Sequence, residues 1–203
     1  MFLIVATTNP HKLHEIRGIL ADAPVQLLGL ADLPPIPEPE ETGETFQENA
    51  RLKALYYSRH VDPPPDGSCA LLVAEDSGLI VDALDGEPGV RSARFLRPDA
   101  TYPERFAEIY RRLHDVPHRP RTARFVCALA VASGDSIVFE TTGTVEGEIS
   151  DTPRGNRGFG YDPIFYYPRY RRTLAEVIDE EKLRVAHRGK AFRALADWLR
   201  ERT

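Results

Sequence analysis

The chain reads as an α/β protein, and three observations point there. Short apolar runs rich in branched side chains recur along it, bounded by turn residues, as buried strands are. Between them lie segments whose apolar residues repeat at helical spacing. The first such pair forms a strand–loop–helix unit: Phe2 to Ala6 is a buried strand, and His11 to Leu20 carries Leu13, Ile16, Ile19 and Leu20 on one helical period.

Composition bounds the possibilities. The 203 residues suffice for one domain, or two small lobes, with a real core, and 42% hydrophobic with 28% charged residues is a soluble globular balance. A net charge of −5 argues against coating nucleic acid but leaves room for a small phosphorylated ligand held by a few local cations. Cys69 and Cys127 lie in apolar runs without metal-ligand spacing, so they read as reduced core cysteines of a cytoplasmic protein. The N-terminal apolar run is too short for a signal peptide or a membrane span, so neither a nucleic-acid nor a membrane partner is expected.

Along the chain, the polar loop Thr7-Thr8-Asn9-Pro10-His11-Lys12 joins the first strand to its helix. Hydroxyls, an amide, a lysine and free helix-start N–H groups suit a phosphate, although the glycines of a Walker loop are missing; the same loop also reads as plain helix capping. Val25 to Leu28 is a second strand. The proline- and glutamate-rich Ala31 to Glu44 is a solvated loop whose last carboxylates, Glu40 and Glu41, precede a helix. Thr45 and Glu48 have capping-box spacing. The helix they open runs to about Arg59 and is expected to bury Phe46, Ala50, Leu52, Leu55 and Tyr56, with Asn49 and Lys53 four apart on a polar, solvated face.

After the proline-rich loop 61–68, the run Cys69 to Ala74 climbs to adjacent carboxylates, Glu75 and Asp76. Strand alternation sends the two to opposite faces. Asp76, next to a turn expected at Ser77-Gly78, is the candidate for a cation site or general base; the alternative is a carboxylate that caps the turn. Leu79 to Leu84 reads as a further strand, Asp85-Gly86 as a turn and Pro88-Gly89 as a type II turn. Thr101 caps a helix from about Tyr102 to Leu113, with Phe106, Ile109, Tyr110 and Leu113 on its apolar face. Ala123 to Ala132 is a long strand that turns at Gly134-Asp135 into a hairpin partner reaching Ile149. In Arg154 to Phe165, glycines at 155, 158 and 160 alternate with aromatics; such a loop suits stacking on a flat ring, or is pinned to the core by those aromatics. Thr173 to Glu176 is a short helix start. Arg184, His187, Arg188 and Lys190 precede a final helix, Lys190 to Arg202, and read as an anion or base-edge reader or as a solvated basic turn.

Five stretches taken together carry a resemblance: ATTNPHK at 6–12, EETGETFQENARLKA at 40–54, AEDSGLIVDALDGEPGVRSARF at 74–95, GFGYDPIF at 158–165 and EEKLRVAHRGKA at 180–191. In that order and at that spacing they resemble the inosine triphosphate pyrophosphatase family, the Ham1-like house-cleaning enzymes that act on non-standard purine nucleotides. The resemblance implies an elongated mixed sheet with flanking helices, two lobes around a central cleft, in a single domain over 1–203, usually as a homodimer. It implies hydrolysis of ITP, dITP and XTP to the monophosphate and pyrophosphate with Mg²⁺ as cofactor. By position, Thr7, Thr8, Asn9, Pro10, His11 and Lys12 match its phosphate loop, Lys53 a triphosphate contact, and Glu41 and Asp76 the metal ligands, with Asp76 also the general base. Ser77 matches a substrate contact, Phe159, Gly160, Tyr161 and Asp162 the base-pocket loop, Lys182 a substrate lysine, and His187 and Arg188 the residues that read the base edge. Three positions depart from the family pattern: Thr8 stands for a common glycine, Glu75 for the first aspartate of DDSG, and Ala186 for the serine of Ser-His-Arg. Two other readings are a pyrophosphatase for modified pyrimidine nucleotides and a nucleotide-binding module without catalysis; the GFGYD and His-Arg segments disfavour the first, and intact Glu41, Lys53 and Asp76 the second.

Overall fold

The computed structural model describes residues 1–62 and 70–202; Cys69 and most of the proline-rich loop lie outside them. Seven strands form one mixed sheet: β1 (Phe2–Val5), β2 (Gln26–Gly29), β3 (Ala70–Val81), β4 (Thr122–Ser133), β5 (Ser136–Ile149), β6 (Phe165–Tyr167) and β7 (Arg172–Thr173), in the order β2-β1-β3-β4-β5-β6-β7. β1 pairs parallel with both β2 and β3, whereas β5–β6 and β6–β7 are antiparallel. The helices are α1 (Pro10–Ile19), α2 (Phe46–His60), α3 (Tyr102–Asp115), α4 (Asp179–Val185) and α5 (His187–Arg200). Among the described residues no helix is long and apolar enough to cross a membrane.

The chain falls into two compact units, one of Met1–Asp76, Cys127–Gly143 and His187–Thr203, the other of Ser77–Val126 and Thr144–Ala186. In the first, the odd-numbered side chains of β1, β3 and β4 (Leu3, Val5, Leu71, Val73, Cys127, Leu129, Val131) share a core with Ile16 of α1 and Phe192, Leu195 and Leu199 of α5. Even-numbered Leu72, Ala74, Ala128 and Ala130 are buried as well, so these strands are covered on both faces and read as unbroken apolar runs. In the second unit Leu79, Val81, Phe125, Val145, Ile149 and Phe165 pack with Phe106, Ile109 and Leu113 of α3.

Several expectations are corrected. No turn forms at Ser77-Gly78; β3 runs straight through, because Leu79 and Val81 continue the buried odd-numbered row begun by Leu71 and Val73. The expected strand 79–84 therefore ends at Val81, and Asp82–Leu84 is a 3₁₀ turn. Pro88 adopts φ −74° and ψ −15°, which is helical and not the first central position of a type II turn; a 3₁₀ helix, Gly89–Arg94, follows it. The Asp85-Gly86 turn forms with both residues at positive φ, 54° and 92°. α2 buries Phe46, Ala50, Ala54, Tyr57 and Asn49, whereas Leu52, Leu55 and Tyr56 are only half buried. The capping box expected at Thr45–Glu48 forms, and Thr101 caps α3 as expected, with Glu104 completing a box there too. The charged stretch around Lys182 is a helix, α4, and the last helix starts at His187, three residues earlier than the sequence pattern indicates.

Candidate active site

β3 organises the first unit because its alternation points Glu75 and Asp76 to opposite faces, where each meets different helices. On one face, the buried Asp76 accepts a hydrogen bond at Oδ2 from the Asn49 side-chain amide of α2 at 3.1 Å. Its Oδ1 lies 3.2 Å from the ammonium of Lys53, one helical turn on. The same ammonium lies 2.6 Å from Oε1 of Glu41, on the loop that enters α2. Burial pushes the Asp76 carboxyl above its ordinary range, and Glu41 adds to the rise while Lys53 opposes it. Burial alone would lower the Lys53 pKa, but Asp76 and Glu41 outweigh it and hold the ammonium charged. Two carboxylates thus converge on one cation beside a water-poor strand.

That geometry bears on metal binding. Among the described residues no group of three or more His, Cys, Asp or Glu forms a metal cage. Mg²⁺ needs none: it is usually held by one or two carboxylates, with substrate phosphates and water completing its shell. Glu41 and Asp76 are hard oxygen donors already facing a common positive charge, so the donor set fits a small divalent cation.

On the other face Glu75, also buried, meets α1 and α5. Its Oε1 lies 2.6 Å from the Lys12 ammonium, and both of its oxygens lie 3.3 Å from Nη2 of Arg188. The Cys127 thiol donates to Oε2 at 3.0 Å. Burial would raise the Glu75 pKa, but Arg188 and then Lys12 hold it well below the usual carboxylate range. Burial and the adjacent carboxylate push the Cys127 thiol far up, so it stays protonated. Arg188 Nη1 donates to Glu15 of α1 at 2.6 Å.

The loop before α1 is tightly bonded. Asn9 caps the helix, its Oδ1 accepting from the N–H groups of His11 and Lys12 at 2.9 and 3.3 Å, and Pro10 occupies the first helical position. The capping reading of this loop is therefore realised. Thr7 Oγ1 accepts from the Asn9 N–H at 3.2 Å, and His11 is exposed. Thr8, which departs from the family pattern, donates its hydroxyl to Glu38 of the acidic loop at 2.8 Å.

In the second unit, Asp162 anchors the glycine-rich loop. Its Oδ2 accepts from the Phe159 N–H at 2.9 Å and from the buried Lys182 ammonium at 2.6 Å. That ammonium stands 4.8 Å from the Phe159 ring centroid, a cation–π approach. Gly158, at φ +68°, has no room for a side chain, because a Cβ would press on the Asp162 carboxylate and Lys182. Phe159 and Gly160 are half buried, as is Ser77. Tyr161 is buried: its hydroxyl donates to the Ser92 carbonyl at 2.8 Å and its ring meets Tyr102 edge-on. Tyr161 pins the loop, leaving Phe159 as its half-buried aromatic.

The sequence reading missed Asn49, expected on a solvated face and found fully buried on Asp76. Its only signal was its helical phase, four residues before Lys53. It also missed Glu15 as a partner of Arg188, and it placed Glu75 on the face opposite Asp76 without naming a partner for it. Of the basic cluster before the last helix, His187 and Arg188 are buried, whereas Arg184 and Lys190 are exposed, so only half of it is a solvated turn.

Fold and site define an α/β protein with a carboxylate–lysine cluster on one face of β3 and a carboxylate clamped by two cations on the other. The Ham1 family model matches residues 3–198. A dITP/XTP pyrophosphatase of Halalkalibacterium halodurans is 43% identical over 198 residues, covering 97% of each chain. One of Geobacter sulfurreducens is 44% identical over 197 residues, covering 97% of this chain and 96% of its own. A solved Ham1 protein from Coxiella burnetii superposes with a TM-score of 0.87 at 36% identity, covering 99% of this chain and all of that one. The chain belongs to the Ham1 family.

Proposed function

We propose that this chain hydrolyses the non-standard purine nucleoside triphosphates ITP, dITP and XTP to the monophosphate and pyrophosphate, removing deaminated purines before they enter nucleic acid. The names of its close relatives support the substrate class. The observation that carries the chemistry is Asp76, buried and held from two sides by Asn49 and Lys53.

In this reading Asp76 accepts a proton from the attacking water, a task its raised pKa suits. Lys53 and Lys12 balance triphosphate charge, assisted by the hydroxyls of Thr7 and Thr8. Glu41 and Asp76 would hold Mg²⁺, whose charge neutralises the phosphate oxygens at the reacting centre. Phe159 stacks on the base, with Lys182 fixed beside it by Asp162. His187 and Arg188 read the base edge: a donor aimed at O6 of hypoxanthine meets the 6-amino group of adenine instead, and the unpaired buried donor rejects ATP. The enzyme acts on the free nucleotide pool of the cytoplasm, as a homodimer.

The test is pyrophosphate release from ITP, dITP, XTP, GTP, ATP and dUTP in parallel, with Mg²⁺ and with chelator. Release from the first three that chelator abolishes is the expected result. Tight ITP binding without turnover overturns the reading in favour of a binding module, and preference for dUTP overturns it in favour of a pyrimidine enzyme. Light scattering that returns a monomer mass removes the homodimer.

A further inference from the structure

Lys12 lies in the first turn of α1 and Arg188 in the first turn of α5, and neither first turn holds an acidic residue. A helix N-terminus carries partial positive charge, so both cations stand where the backbone opposes them. Arg188 is also fully buried, which adds a desolvation cost. Helix stability does not explain either placement. What offsets both is one side chain from a third element: Glu75, on β3, contacts the Lys12 ammonium at 2.6 Å and the Arg188 guanidinium at 3.3 Å. Glu15 supports Arg188 through Nη1. The Cys127 thiol, protonated and donating to Oε2, fixes the Glu75 carboxylate from β4.

We propose that Glu75 is a positioning residue shared by phosphate and base recognition: from the face of β3 opposite Asp76 it clamps Lys12 and Arg188 together, so that the two contacts are set by a single anchor. The proposal rests on the roles assigned above to Lys12 and Arg188. It also gives the departure at this position a meaning, because the glutamate reaches two helices at once and is turned away from the Asp76 side of the strand.

The experiment measures binding of two substrate fragments by calorimetry, inorganic tripolyphosphate for the Lys12 side and IMP for the Arg188 side, in the wild type, Glu75→Gln and Glu15→Gln. Glu75→Gln keeps the shape and removes the charge; both affinities are expected to fall about tenfold or more, the scale of a lost charged hydrogen bond. Glu15→Gln is expected to weaken IMP and leave tripolyphosphate unchanged. A Glu75→Gln protein that melts cooperatively yet loses one affinity only, or neither, overturns the proposal, as does a wild type that binds neither fragment. If Glu75→Gln fails to fold, Glu75→Asp decides the same point: the charge is kept but drawn back by one methylene, so both affinities shift together, and a shift in one alone or in neither overturns the shared anchor. Turnover of ITP by the wild type is scored separately; its absence counts against the proposed reaction, while the fragment affinities still decide the role of Glu75.

Discussion

Asn49 donates its side-chain amide to Asp76 at 3.1 Å from a position with no solvent exposure. Its Oδ1 accepts from the Gly43 N–H at 2.8 Å. One buried amide therefore ties the catalytic candidate to the loop that carries Glu41. It also occupies Oδ2 of Asp76, leaving Oδ1 toward Lys53. Asn49→Ala strands both partners, at about 1–3 kcal/mol for each unsatisfied group. The expected outcome is a lower urea midpoint and a fall of about 10–100-fold in turnover, the loss that follows from the role proposed above for Asp76 as a metal ligand. Urea unfolding and pyrophosphate release on the same sample check it.

Asp76→Asn keeps the shape of the side chain and removes its capacity to take a proton. Turnover of ITP is expected to be lost while ITP affinity remains. Single-turnover assays beside equilibrium binding separate the two. Near wild-type activity in this variant excludes Asp76 as the base.

Gly143, on β5, lies against the first turn of α5. A Cβ there would press on the His187 carbonyl and come within 2.7 Å of the Ala191 N–H nitrogen, both backbone groups that cannot rotate away. Gly143→Ala is expected to destabilise the protein by about 1–3 kcal/mol, as overpacking does. Because the displaced turn carries His187 and Arg188, the preference for ITP over ATP is expected to narrow as well. Thermal melts and the ratio of kcat/KM values report the two effects.

Glu104 closes the cap of α3. The Thr101 N–H, the Arg97 guanidinium and the Thr101 hydroxyl hold its carboxyl at about 2, below its ordinary 4.5. A carboxylate lowered in the folded state stabilises above its unfolded pKa, and that contribution is lost as pH falls through the folded value. The stability gap between wild type and Glu104→Gln is therefore expected to be full at neutral pH, to shrink below pH 4.5 and to close near pH 2. Denaturant titrations across that range measure it; a gap independent of pH overturns the assignment.

Much of this architecture is legible in local patterns. The first strand–loop–helix unit, α2 with its Thr45–Glu48 box, the Thr101 cap of α3 and the Gly134-Asp135 hairpin follow from periodicity and capping, which are short-range physics. The opposite facing of Glu75 and Asp76 follows from the pleat. The failures have one cause. Ser77-Gly78 carries a turn signal, yet the chain stays extended because apolar packing on both sides of that dipeptide outweighs local preference. Asn49 and Lys53 look like a solvated face because the carboxylates they meet lie far along the chain.

The residue types by themselves determined the α/β class and the strand that carries the two carboxylates. Only the tertiary structure decided the partners: that Asp76 rests on Asn49 and Lys53, that Glu75 reaches Lys12 and Arg188, and that Tyr161 belongs to the core while Phe159 remains half buried beside Lys182. The reason is physical. Strand and helix periods are set by backbone geometry within a few residues, whereas pairing a buried charge depends on which distant element supplies the opposite charge where water has been excluded.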